Sequence, residues 1–319
     1  MVVTIRNMKV EDLIDVKGVD LVCWNDLLEK RYGIRGRVSP RTDQNLLSYL
    51  HSDVGGAFVA YEEFAGIIGS VFSHTWGSTG WVGPLSVLTS YQARGVGKEL
   101  LRHSIRYLED QGCVDIGLET MPENVTNLGM YLKVGLRPEG LIIVFGRSLE
   151  HQELQDEPSG DLSVERLSDS MVQEHMLGQI RRISDSHRQG LDYSKEIRLT
   201  KEFGFGDTIV ATSKDRVVGF SIVHTVQTRA NMVGGAVRAL VVEPGAKPEV
   251  LESLLATSEL MAADAKLKEI TIAVPAVCRR AIDSVFSRGY QVIQSFERLM
   301  YLGSSGIDER SFNLCTWSG

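Results

Sequence analysis

The chain repeats itself once, and that repeat limits what it can fold into. "FVAYEEFAGIIGSVFSHT", Phe58 to Thr75, holds two apolar runs around Glu62 and Glu63 and predicts a hairpin. "TIVATSKDRVVGFSIVHT", Thr208 to Thr225, repeats the pattern with "SKDR" at its turn. Adding 150 carries Gly69 to Gly219, His74 to His224 and Thr75 to Thr225. Later the shift grows: "PLSVLTS" at 84–90 meets "ALVVEPG" at 239–245 by adding 155, and "YLKVGL" at 131–136 meets "VFSRGY" at 285–290 by adding 154. A strand pair, a helix, a strand and a second helix therefore recur, at a period far longer than a solenoid repeat. The 319 residues read as two mixed α/β domains, each with its own core. The acidic stretch "HQELQDEPSGD", broken by Pro158 and Gly160, marks the join: residues 1–150, a linker at 151–160, and residues 161–319.

Composition narrows the function. The net charge of −7 excludes a general nucleic-acid binder, yet leaves room for a local basic pocket that holds an anionic cofactor. No stretch approaches the roughly 20 apolar residues of a membrane span. "MVVTIRNMKVEDL" lacks the apolar core of a signal peptide, so a cytoplasmic protein is expected. Cys23, Cys113, Cys278 and Cys315 lie far apart with no metal-type spacing, which predicts plain thiols and no metal site.

"SYQARGVGKELL", Ser90 to Leu101, puts two glycines where a helix needs its first turn. Each costs roughly 0.5–1 kcal/mol against Ala in a helix interior. The helix itself is well marked: Val96, Leu100, Leu101, Ile105 and Leu108 recur at helical spacing, and Gly112 follows as a cap. "WVGPLSVL", Trp81 to Leu88, reads as the buried strand before it. Two glycines alone also fit a tight turn. Strand, glycine turn and helix in this order make an anion site, because the first N–H groups of a helix lack partners and its dipole favours negative charge. Gly95 and Gly97 would let a pyrophosphate reach the main chain, with Arg94 and Lys98 adding charge. A third glycine for a dinucleotide loop and a Lys-Ser/Thr pair for a Walker loop are both missing.

"QARGVG", Gln92 to Gly97, has the form Q/R-x-x-G-x-G/A, and over most of residues 1–150 the chain resembles the GNAT superfamily of N-acetyltransferases. "IRNMKVEDL", Ile5 to Leu13, is similar to that family's first strand and helix start. "LETMPENVTNLGMYLKVGLRPEG", Leu118 to Gly140, is similar to its later strand, helix and Y-x-x-x-G-F turn, with Leu136 in place of Phe. The resemblance implies two tandem α+β domains, each a twisted mixed sheet flanked by helices. It implies acetyl-CoA as cosubstrate, held by Ser86, Val87, Leu88, Gln92, Ala93, Arg94, Gly95, Val96, Gly97, Lys98 and Asn124. Tyr131, four before Gly135 and seven after Asn124, matches the residue that protonates the leaving thiolate. "VLTS" lacks the carboxylate of histone-type members, so the general base is left between Glu119, His74 and a water relay.

The second half loses these features. Adding 155 to Gln92, Gly95 and Gly97 gives Lys247, Val250 and Glu252, and adding 154 to Tyr131 gives Val285. A carboxylate at Glu252 would repel a phosphate, so this half is expected to be structural and to close the acceptor pocket of the first. In "WNDLLEKRYGIRGR", Trp24, Tyr32, Arg31, Arg35 and Arg37 are candidates to line that pocket or to be a solvated helix end. Phe312 and Trp317 predict a tail that docks. The partner expected is a small-molecule amine, with no membrane or nucleic acid, and the reading is compatible with a homodimer. A protein N-terminus or lysine as acceptor, or a non-catalytic acyl-CoA sensor, are the alternatives.

Overall fold

A computed structural model describes residues 2–36, 38–150, 161–169, 173–226, 228–230, 234–307, 309 and 312–315. The expected linker at 151–160, Arg37 and Trp317 lie outside the described residues. The first half runs β1 (Val3–Asn7), α1 (Leu13–Tyr32), α2 (Asp43–Ser52), β2 (Phe58–Glu62), β3 (Gly66–Trp76), β4 (Thr79–Val87), α3 (Val96–Asp110), β5 (Asp115–Thr120), α4 (Val125–Val134) and β6 (Arg137–Ser148). The second repeats that order as β7 (Leu162–Arg166), α5 (Gln173–His187), α6 (Ser194–Glu202), β8 (Gly206–Ser213), β9 (Arg216–His224), β10 (Gly234–Val242), α7 (Pro248–Asp264), β11 (Glu269–Pro275), α8 (Arg279–Ser287) and β12 (Gln291–Leu302). Among the described residues, one strand, β13 (Phe312–Cys315), has no counterpart in the first half. No helix among the described residues is long and apolar enough to cross a membrane.

Local chemistry accounts for the elements. Lys214 and Asp215 take φ of 50° and 61°, which makes "SKDR" the tight turn between β8 and β9. The apolar stripe of α3 is buried throughout, and each such Leu or Ile contributes about 1.5–3 kcal/mol. Beyond its end Gly112 takes φ +79°, and the Cys113 N–H bonds the Leu108 carbonyl at 3.1 Å. The 154-residue correspondence is geometric as well: α4 ends on Gly135 (φ +118°) with Leu136 N–H on Tyr131 O at 3.1 Å. Helix α8 ends on Gly289 (φ +83°) with Tyr290 N–H on Val285 O, also at 3.1 Å.

Each half carries the mixed α/β order expected of it, and the sheets of the two halves join. Among the described residues the thirteen strands form one sheet, in the order β1-β2-β3-β4-β5-β12-β6-β11-β10-β9-β8-β7, with β13 beside β10. Each half sends one strand to the other: β12 lies against β5, and β6 lies against β11. The two exchanged strands pair with each other antiparallel, and Ile142 sits opposite Phe296, its own equivalent by adding 154. A pseudo-twofold axis therefore passes through that pair. The exchange leaves neither strand as an exposed edge. The core is shared in the same way, since Trp76 and Trp81 pack with Ile180, Ile197 and Phe220 of the second half. Ion pairs stitch the halves together, including Lys195–Asp53 at 2.8 Å, Arg229–Asp20 at 2.7 Å and Arg188–Asp115.

Candidate active site

Strands β4 and β5 run parallel and pair only at Thr79–Trp81 with Asp115–Gly117. Past those residues they part, and a wedge opens between them. The loop 88–95 and the start of α3 lie at its wide end. Gln92 to Gly95 are exposed, Ala93 takes φ +58° and Gly95 φ +88°, and nothing would lie within 4 Å of a Cβ on Gly95. The first helical bond runs from Glu99 N–H to Gly95 O at 3.1 Å, so the N–H groups of Val96, Gly97 and Lys98 have no helical acceptor. Arg94 lies over the Tyr91 ring at 5.4 Å, and Val96 is buried and anchors the turn. Gly97 differs from Gly95. Its missing Cβ makes room for Met130 Sδ, 3.2 Å from where that Cβ would sit, so it lets α3 approach α4.

The strand side of the wedge carries the remaining groups. Leu88 N–H is used by Ile68 O at 2.9 Å, which turns the alternate residue Val87 away from β3. The Val87 carbonyl accepts from Gln92 Nε2 at 3.0 Å, and its N–H faces the Cys23 sulfur on α1. Burial, with Asp20 and Asp26 nearby, pushes the Cys23 thiol up to about 12. Ser86 is buried on the same strand. Across the wedge Asn124 caps α4 by accepting from Asn127 N–H at 3.3 Å. Tyr131 is buried on α4, and its hydroxyl bonds Thr120 of β5. Burial raises that phenol to about 12.

Comparison with known proteins agrees with this geometry. Residues 23–136 match the sequence profile described as the acetyltransferase (GNAT) family. These residues are a GNAT-family domain. No curated protein matches the sequence significantly. Solved structures share the fold of the whole chain. A putative acetyltransferase from Pyrococcus horikoshii is similar at 16% identity and TM-score 0.68, with 98% of this chain and 94% of that one covered. A tandem GNAT protein from the clavulanic acid biosynthesis pathway is similar at 13% identity and TM-score 0.59, covering 95% and 100%. A glucosamine N-acetyltransferase region within a fungal multi-domain β-N-acetylglucosaminidase is similar at 15% identity and TM-score 0.68, covering 94% of this chain and 38% of that one.

Within the GNAT domain the two base candidates fare differently. Glu119 does not stand open to an amine. Its side chain has no exposed surface, and it holds Arg298 of β12 at 2.6 and 3.1 Å. Burial opposes the Arg298 charge, yet the Glu119 carboxylate keeps that guanidinium above its ordinary pKa. Arg298 also lies over the Trp81 ring at 5.3 Å. Glu119, one of the candidate bases, is thus held in a buried ion pair with Arg298. His74 donates from Nε2 to the Gly83 carbonyl at 2.8 Å, two residues past the last β4–β5 pair. Burial lowers its pKa, so the ring is neutral with Nδ1 as an acceptor. His224 is likewise buried, and its Nε2 meets Thr200 Oγ1 at 3.0 Å. Both histidines line one cavity between α2 and α6, together with Tyr49, Glu196 and Arg238.

The far wall comes from α1 and the second half. Arg31 and Tyr32 bond the Glu123 backbone and carboxylate, so the end of α1 is fastened across the mouth of the wedge. Arg35 pairs with Glu29 on the surface. Trp24 lies under Arg229 at 5.6 Å, and Arg229 shares the buried Asp20 with Arg41. Burial and the neighbouring Arg41 charge both lower the Arg229 pKa. Thr42 N–H bonds Thr228 O and Ala230 N–H bonds Pro40 O, so the second half covers the α1–α2 loop. Cys23, Glu123, Arg229 and Arg298 carry no motif that marks them in the sequence.

Proposed function

We propose that the first half transfers an acetyl group from acetyl-CoA to the primary amine of a small molecule by direct attack. The observation that carries this is the open wedge between β4 and β5, with N–H groups lacking a helical acceptor at its wide end and a buried tyrosine beside it. The pyrophosphate would meet the N–H groups of Val96 to Lys98 with Arg94 alongside. The pantetheine arm would run down the wedge against β4. At the apex a neutral amine attacks the thioester carbon, the C–N bond forms and the C–S bond breaks. Tyr131 gives its proton to the departing thiolate, the new ammonium loses a proton to water, and solvent returns one to the Tyr131 phenolate. A phenol held near 12 stays protonated at any working pH, as a proton donor must.

The covered α1–α2 loop and the fastened end of α1 favour a small acceptor over a protein chain end. One of the fold neighbours above acts on glucosamine, an amine on a small molecule. Titration calorimetry with acetyl-CoA and a screen of amines for thiol release test the reading. One site per chain and turnover with a small amine are expected. Acetylation of peptides alone would move the acceptor to proteins, and binding without any turnover would make the chain a sensor.

A further inference from the structure

The second half also has a wedge, and the chain fills it with β13. β10 and β11 pair parallel only at Gly234–Val237 with Glu269–Ile272 and then part, as β4 and β5 do. Into the gap runs β13, antiparallel to β10, with Phe312 opposite Val242, Asn313 opposite Val241, Leu314 opposite Leu240 and Cys315 opposite Ala239. Adding 155 equates Val242 with Val87 and Ala239 with Pro84. β13 thus enters beside the start of α7 and runs toward the apex, the course proposed above for the pantetheine arm in the first half. Asn313, Leu314 and Cys315 are buried, and the Tyr193 hydroxyl donates to Asn313 Oδ1 at 3.0 Å.

The strand also reaches the GNAT domain. Arg298 donates through one nitrogen to the Cys315 carbonyl at 3.3 Å and to Glu119 at 2.6 Å. Glu119 precedes Thr120, the hydrogen-bond partner of Tyr131. Contacts therefore run without a break from β13 through Arg298 and β5 to the proton donor. We propose that the gap between β10 and β11 is a strand-binding slot for the chain's own C-terminal segment, and that its occupation positions β5 and Tyr131 for acetyl transfer. Arg298 is the positioning residue in this arrangement. Its guanidinium has acceptors on two sides, one from each half, and loss of the strand would admit water beside the Glu119 pair. The coupling rests on the acetyltransferase reading; the slot itself does not.

The test uses the full chain. Leu314→Asp places a charge in a fully buried position and should expel β13. Cys315 should then become open to alkylation, located by peptide mapping. A synthetic peptide of residues 311–319 should bind this variant one to one and protect the slot. With acetyl-CoA affinity within twofold of wild type, kcat should fall at least tenfold, and the peptide should restore it. Arg298→Lys keeps the buried charge but not both contacts, and should lower kcat in the same way with β13 still in place. Unchanged alkylation in Leu314→Asp, or no peptide binding, would overturn the slot. Peptide binding without recovery of kcat, or wild-type kcat in Arg298→Lys, would overturn the coupling and leave the slot standing.

Discussion

Two carboxyl and hydroxyl groups decide how the wedge can work. Tyr131→Phe keeps the ring and removes only the hydroxyl and its bond to Thr120, a loss of about 1 kcal/mol in stability. General acid catalysis contributes ~10²–10⁴-fold, so kcat should fall at least tenfold with acetyl-CoA affinity unchanged in calorimetry. The folded pKa is raised, so the donor form is complete below the ordinary phenol value and is lost only as pH climbs through about 12. The kcat profile should show no falling limb from this group up to pH 10; a limb near the free phenol value would reveal a hydrated hydroxyl. Glu119→Gln leaves Arg298 charged and buried, which should cost about 3–5 kcal/mol in denaturant unfolding. A rate deficit that does not shrink as pH rises is expected of an ion-pair partner, and one that shrinks would make Glu119 the base. Tyr131 was legible because its spacing to Asn124 and Gly135 lies within one helix. The fate of Glu119 was not, because Arg298 stands 179 residues away on an exchanged strand.

At the scale of elements, the two loop glycines separate cleanly. Gly95 has positive φ and open space around it, whereas Gly97 makes room for Met130. Gly95→Glu adds backbone strain of about 1–2 kcal/mol and a negative charge among the free N–H groups. It should abolish acetyl-CoA binding in calorimetry while the thermal midpoint drops by only a few degrees. Gly97→Ala should instead weaken binding modestly, because Met130 is flexible and can yield. Normal binding by Gly95→Glu would displace the phosphate site. Helices and hairpins were readable because 3.6- and 2-residue periods are local. The identity of a strand's neighbour is not local: β6 and β12 each look like the last strand of a sheet, and nothing in either says that the sheet belongs to the other half. β13 was legible only as an apolar tail.

The whole molecule should melt as one body. Neither half holds a complete sheet, and the shared core around Trp76 and Trp81 spans both. Calorimetry should show a single thermal transition for the chain, and two resolved peaks would contradict the fused sheet. The pairing also explains how one ancestral fold came to have two fates. In a pair of identical subunits every site is present twice, and a change that fills one fills both. Joining the copies in a single chain lifts that constraint. Once Ile142 and Phe296 face each other across the axis as different residues, each side can change alone. One copy keeps its wedge open, and the other has its wedge filled by β13.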